Sequence, residues 1–156
     1  KEAVAKAVVE AALAEAGFES TDKAAEAGTA FVFMGHGTAH VAKVTYSQMQ
    51  TQMQNLGYEN VFIGTVEGEP EETACEAVIE AVKAAGYTNV VLRPLMVVAG
   101  DHANNDMAGS EEDSWKTMLE AAGFTVDCQI HGLGEIADVQ ALYVAHTKAA
   151  IDSLNA

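Results

Sequence analysis

The feature that most constrains the fold is an alternation of short apolar runs with longer amphipathic segments. The apolar runs are rich in β-branched and aromatic residues, which predicts buried strands over residues 29–34, 60–66, 89–98 and 124–130. The segments around them repeat apolar residues every three or four positions, which predicts helices over residues 2–16, 42–56, 70–85, 110–122 and 136–154. Continuous apolar strands separated by amphipathic helices indicate a parallel sheet covered on both faces. The predicted fold class is therefore α/β, a doubly wound four-stranded parallel sheet with helices on both faces.

The chain has 156 residues, a length that suits one domain with a proper apolar core. We expect residues 1–28 to form a linking helix and a polar connector, and residues 29–156 to form the α/β domain. The sequence opens on Lys1 rather than on an initiator methionine, so we expect it to come from inside a longer gene product.

Charge narrows the range of functions. With 23 acidic and 8 basic side chains the net charge is −15, which argues against a nucleic-acid binder, because such proteins need a basic face. The basic residues are also scattered singly, so the sequence predicts no contact with an anionic membrane surface. Cys75 and Cys128 are predicted to be free buried thiols, since no other cysteine is present and no Cys-x-x-Cys pair occurs.

Ligands of open α/β sheets bind beyond the carboxyl ends of the strands. Three such ends carry groups that bind divalent metals: His36 follows the first predicted strand, Glu67 the second and His102 the third. Glycines on both sides of His36 let the backbone turn tightly and let a ligand come close. Two imidazoles and a carboxylate form a recognised set for a divalent metal with open coordination positions. We therefore predict a metal site at His36, Glu67 and His102.

Other polar residues near these ends are weaker candidates. Glu69 is a substitute for the carboxylate, His131 is open between a substrate wall and an exposed loop, and His146 is expected to pack on a helix face. The sequence has no Gly-x-x-x-x-Gly-Lys loop, so it gives no support for a nucleoside triphosphate. Three residues of the third loop are expected mainly to shape it: Asp101, Asn104 and Asp106.

The loops also carry a family resemblance. Residues 33–40 (FMGHGTAH), 65–67 (TVE) and 94–107 (PLMVVAGDHANNDM) resemble the anaerobic sirohydrochlorin cobaltochelatases, which are ATP-independent class II tetrapyrrole chelatases. The later segments DSWK, GLGE and VAH strengthen the match, which covers residues from about 30 to the end of the sequence.

This resemblance implies insertion of Co²⁺ into sirohydrochlorin (precorrin-2/factor II) during anaerobic cobalamin biosynthesis. It implies that His36, Glu67 and His102 are the catalytic and metal-binding residues, with Fe²⁺ and Ni²⁺ as alternative metals and haem as an alternative ligand. Family members have two similar α/β halves, so the chain is expected to be the C-terminal half, with the other half on a separate chain. A homo-oligomer in the cytoplasm is expected, a periplasmic form being a known variation of the family.

Two other functions stay open at this point. One is a haem- or metal-binding carrier on the same fold without chelatase activity, and the other is a phosphate-ester hydrolase that uses metal-bound water. The charge of −15 attracts divalent cations but repels the carboxylates of sirohydrochlorin. Lys43 and Arg93 are therefore expected to hold the substrate locally.

Overall fold

The computed structural model describes residues 2–35, 43–66, 68, 71–95, 102–132, 135–137 and 139–140. In chain order its helices and strands are α1 (Glu2–Ala16), α2 (Thr21–Glu26), β1 (Thr29–Gly35), α3 (Lys43–Asn55), β2 (Val61–Thr65), α4 (Cys75–Ala84), β3 (Asn89–Pro94), α5 (Trp115–Ala121) and β4 (Thr125–Cys128). A 3₁₀ turn (Glu71–Thr73) precedes α4, and a π-helical segment (His102–Met107) lies between β3 and α5.

The four strands form one parallel sheet in the order β2-β1-β3-β4. Strand β1 lies in the interior of the sheet and all seven of its residues are buried, as expected for a strand covered on both faces. Helices pack on both faces, and the predicted fold class is confirmed.

Side chains of β1 alternate between two apolar clusters, one on each face of the sheet. The cluster that we name the α1 face joins α1, α2 and α3 to the sheet through Ala5, Val8, Val9, Ala12, Leu13, Ala24, Phe31, Phe33, Met53, Val61, Ile63 and Val91. The cluster that we name the α5 face joins α4 and α5 to the opposite side through Ala30, Val32, Met34, Val78, Val82, Val90, Leu92, Met107, Trp115, Leu119 and Phe124.

The first prediction to need correction is the polar connector from Phe18 to Gly28. Residues Thr21–Glu26 form the short helix α2, and Ser20 caps it because its hydroxyl accepts a hydrogen bond from the Lys23 N–H at 3.1 Å. Helix α1 is as predicted, and its buried residues belong to the α1 face. The predicted division between residues 1–28 and 29–156 stays a prediction.

Two helices begin later than predicted. Helix α4 starts at Cys75 after a 3₁₀ turn, and its buried residues are Val78 and Val82. Helix α5 starts at Trp115, because the Ser114 hydroxyl accepts the Thr117 N–H at 3.2 Å and so fixes the helix start there.

The chain beyond β4 is described only in part. Most of the helix predicted over residues 136–154 lies outside the described residues, although the Gln140 N–H donates to the Ile136 carbonyl at 2.9 Å in a helical turn. Among the described residues, no helix has both the length and the hydropathy that a bilayer crossing requires.

Candidate functional site

Strands β1, β2 and β3 end at the same level at the carboxyl end of the sheet. The carbonyl of Gly35, the last residue of β1, accepts a hydrogen bond from the Val66 N–H at 3.0 Å. On the other side of β1, the Met34 carbonyl accepts from the Leu95 N–H at 2.5 Å. The residues that directly precede His36 and Glu67 are therefore bonded to each other through the backbone.

The strand order of the sheet reverses between β1 and β3. Helix α3, which follows β1, packs on the α1 face, whereas α5, which follows β3, packs on the α5 face. Connections that leave two neighbouring strands toward opposite faces open a crevice beyond the carboxyl ends of those strands, and ligands of doubly wound sheets bind there. In this chain the crevice lies between β1 and β3.

The segment after β3 contains a feature that the sequence did not suggest. Residues His102–Met107, predicted as a loop, form a π-helical segment whose last residue, Met107, is fully buried in the α5 face. Short π-helical segments are rare and occur frequently at functional sites. The burial of Met107 anchors the segment that begins with His102.

The predicted ligands fall at the limits of the described structure. His36 and Glu67 lie outside the described residues, and His102 is the first residue of the π-helical segment, with its side chain outside the described part. Within the described ranges, no three His, Cys, Asp or Glu side chains lie close enough together to hold a metal ion. The ligand set stays a prediction. The weaker candidates Glu69, Asp101 and His146, and the side chain of Asn104, also lie outside the described residues.

Arg93 is buried at the end of β3 and is 5% exposed. Its Nη1 atom forms an ion pair with Glu15 of α1 at 3.1 Å and donates to the Gln129 side-chain carbonyl at 2.8 Å. Gln129 in turn donates to the Ala12 carbonyl at 3.1 Å. Arg93 therefore ties α1 to the sheet, and holding a substrate carboxylate would require these contacts to break. The side chain of Lys43 lies outside the described part.

His131 lies at the surface, where its side chain is 45% exposed. Its Nε2 atom is 3.2 Å from Glu15, and its Nδ1 atom is 3.4 Å from Glu135. Hydrogen bonds from the Gly132 N–H and from His131 lower the pKa of Glu135 below its usual value. His131 thus bridges two carboxylates in the described structure.

A groove of about 360 Å³ lies along the edge strand β2. Its lining combines apolar side chains with hydroxyl, amide and carboxylate groups and includes Tyr46, Ser47, Gln50, Phe62, Glu72 and Val78. The described lining therefore comes mainly from α3, β2, the 3₁₀ turn and α4.

Comparison with known proteins agrees with the resemblance found in the loops. The sequence profile of the family described as cobalt chelatase (CbiK) matches residues 11–152, which include His36, Glu67 and His102. The chain belongs to this cobalt chelatase family. A sirohydrochlorin cobaltochelatase of Salmonella typhimurium is 40% identical over 121 residues, 78% of this chain and 44% of that protein.

A second relative of this chain is the sirohydrochlorin cobaltochelatase CbiKC of Nitratidesulfovibrio vulgaris. It is 33% identical over 126 residues, 81% of this chain and 43% of that protein. The chain therefore spans less than half the length of the curated relatives that it matches.

Proposed function

We propose that this chain takes part in ATP-independent insertion of Co²⁺ into sirohydrochlorin, with the metal held by His36, Glu67 and His102. One observation carries the proposal. The Gly35 carbonyl accepts the Val66 N–H at 3.0 Å beside the point where the strand order reverses, so the chain segments that lead into His36 and Glu67 start side by side. The names of the two relatives give the reaction and its substrate.

The chemistry of the three residues suits this reaction. A chelatase must hold its metal loosely enough to release it, and two imidazoles with one carboxylate leave coordination positions open for the nitrogens of the macrocycle. It must also remove two protons from the pyrrole nitrogens, and a histidine acts as a general base near neutral pH. Neither step consumes a nucleotide.

The net charge of the chain affects the metal and the macrocycle in opposite ways. A net charge of −15 raises the local concentration of divalent cations and repels a polycarboxylate macrocycle at long range. Because Arg93 is paired with Glu15 at 3.1 Å, we assign much of the macrocycle binding to a second α/β half outside this sequence. The lengths of the relatives support this assignment, since the chain covers 44% and 43% of them.

The proposal also covers the choice of metal, the assembly and the cellular location. Co²⁺ is the metal that we assign, and Fe²⁺ and Ni²⁺ are competitors with the same ligand preferences. A homo-oligomer, a separate chain for the second half and a cytoplasmic location stay predictions. The haem carrier is not favoured, because the family description and both relatives' names specify a chelatase.

The test is an anaerobic assay with sirohydrochlorin and Co²⁺, followed by absorption spectroscopy, with the second α/β half present. We expect a Co²⁺-dependent spectral change whose rate falls by on the order of 100-fold or more in His36→Ala and in His102→Ala. His131→Ala is the matched control, because it removes a histidine that bridges two surface carboxylates. Full activity in both ligand variants would contradict the proposal. Haem binding that survives in both variants, without metal insertion, would favour the carrier.

A further inference from the structure

The last residue of β1 lies directly beneath an aromatic ring. A Cβ atom placed on Gly35 would come within 2.8 Å of Cζ and 2.9 Å of Oη of Tyr46, and still closer to Cε1. Tyr46 belongs to the first turn of α3 (Lys43–Asn55), and its ring packs against the α1 face. The ring therefore lies on the Cα of Gly35, and no larger residue fits there unless the ring or the strand moves.

Residue 35 is a glycine because there is no space for a side chain, and not because its backbone conformation requires glycine. Gly35 is not among the glycines with positive φ, so its backbone is one that any residue adopts. A glycine within a strand gives up side-chain packing and increases the entropy lost on folding, and it often marks a close approach of another group. At Gly35 the close group is the Tyr46 ring.

The contact joins the two ends of one short segment. Residues 36–42 connect β1 to α3, so Gly35 enters the segment and Tyr46 lies just beyond its exit. The Gly35 carbonyl also accepts the Val66 N–H at 3.0 Å, one residue before Glu67. A displacement of Gly35 would therefore be transmitted to the points where His36 and Glu67 leave the sheet.

We propose that Gly35 and Tyr46 are positioning residues for the metal site, because the ring on the Gly35 Cα fixes where His36 leaves the sheet. This inference rests on the proposed function for the role of His36. It predicts that a side chain added at residue 35 displaces His36, because the contact with Tyr46 leaves no space for one.

The chain offers a matched control on the same helix. Gly57, just beyond α3, has φ +83° and nothing within 4 Å of a Cβ built on it. Gly57→Ala therefore strains the backbone and lowers stability without a collision. It separates a general loss of stability from a loss of position at His36.

The experiment is a Co²⁺ titration, with Co²⁺ alone as the probe, followed by visible absorption. Gly35→Ala is expected to weaken binding by about 10-fold or more, as loss of a group that orients a metal ligand does. Gly35→Ala combined with Tyr46→Leu restores the space and is expected to recover part of the lost affinity, whereas Gly57→Ala is expected to bind within roughly threefold of the native chain. Native affinity in Gly35→Ala would overturn the inference, as would a double variant no better than the single one.

A second readout does not depend on metal binding. In the metal-free protein, the NMR signals of the His36 backbone amide and imidazole are expected to shift in Gly35→Ala and to return toward their native positions in the double variant. If the native chain binds no Co²⁺, or if His36→Ala binds it fully, the proposed function fails and these signals alone decide the inference. Unchanged His36 signals in Gly35→Ala would overturn the positioning role in either case.

Discussion

The two faces of the sheet are held to their helices in different ways. On the α1 face, directional polar contacts accompany the apolar cluster: Arg93 joins β3 to Glu15 of α1 at 3.1 Å, and the Asn60 amide donates to the Thr21 and Thr29 carbonyls at 3.1 and 2.9 Å. On the α5 face, a large aromatic side chain makes the close contact with the sheet. Trp115 is 4% exposed, and its ring would lie 2.5 Å from a Cβ on Gly64 of β2.

Polar contacts fix the orientation of α1 on the sheet, whereas the volume of the buried side chains stabilises the α5 face. Hydrogen bonds and ion pairs contribute a modest net free energy, but they are satisfied in one arrangement only, so they fix how α1 lies on the sheet. Close apolar packing contributes more free energy per side chain and tolerates substitutions that keep the side-chain volume. Substitutions on the α5 face should therefore cost more stability, and those on the α1 face should show stronger coupling between partners.

The largest expected effect is at the centre of the α5 face. Trp115→Ala leaves a cavity against Gly64 and is expected to lower the free energy of unfolding by about 3–5 kcal/mol, measured by chemical denaturation. Gly64→Ala tests the same contact from the strand side, because its added methyl group overlaps the ring, and is expected to cost about 1–3 kcal/mol. A loss under 1 kcal/mol in Trp115→Ala would contradict the packing that we describe.

A smaller loss is expected at the polar contacts of the α1 face. Arg93→Met keeps an apolar stem but leaves the acceptor oxygen of buried Gln129 without its partner, so we expect a loss of about 2–3 kcal/mol. Glu15→Gln should cost under about 1 kcal/mol, because the Glu15 side chain is 41% exposed and water screens its charge. Adding Gln129→Leu to Arg93→Met should recover part of the loss, and strict additivity would contradict the network.

The edge of the sheet provides a third test. The Gln50 side chain pairs with β2 as a neighbouring strand would: it donates to the Val61 carbonyl at 2.9 Å and accepts the Ile63 N–H at 2.8 Å. Gln50→Ala is expected to cost about 1–2 kcal/mol and to speed hydrogen exchange of the Ile63 amide. Gln54→Ala, an exposed glutamine on the same helix, should stay within about 0.5 kcal/mol. Equal exchange rates in both variants would contradict this role of Gln50.

A fourth test is a dependence on alkaline pH that comes from the α5 face. Burial raises the pKa of Cys75 to about 12 and that of Cys128 to about 11, and both thiols pack against this cluster. Unfolded thiols ionise near pH 8.5, so the unfolded state loses its protons first and stability falls as pH rises above that value. The denaturation midpoint of the native chain should therefore fall more between about pH 7.5 and pH 9.5 than that of a Cys75→Ala, Cys128→Ala double variant. Equal falls would contradict the raised pKa values.

Local patterns in the sequence predicted the strands and the class of fold well. Strands β1, β2 and β3 are largely apolar and largely buried, because helices cover both faces of the sheet there, whereas β4 (TVDC) alternates exposed and half-buried residues at the edge of the sheet. Helix starts were less predictable. The 3₁₀ turn before α4 and the Ser114 cap of α5 depend on one or two hydrogen bonds, whereas apolar periodicity extends beyond the helix itself.

Contacts between distant residues were beyond the reach of the sequence. Arg93 and Glu15 are 78 positions apart, and nothing around either residue indicates that they pair. The contact between Gly35 and Tyr46 likewise depends on how α3 lies on the sheet. The sequence predicted which strand ends carry the candidate ligands, and the described structure adds that β1 and β2 end side by side at Gly35 and Val66.

The measurement that tests the central claim most directly is Co²⁺ binding by single-site variants of the predicted ligands, followed by visible absorption under anaerobic conditions. His36→Ala, Glu67→Gln and His102→Ala are each expected to lower the affinity by about 10-fold to 100-fold. His131→Ala, which removes a histidine bridging Glu15 and Glu135, should leave the affinity unchanged. Native affinity in all three ligand variants, or a loss in His131→Ala as large as in His36→Ala, would contradict a metal site at the carboxyl ends of the strands.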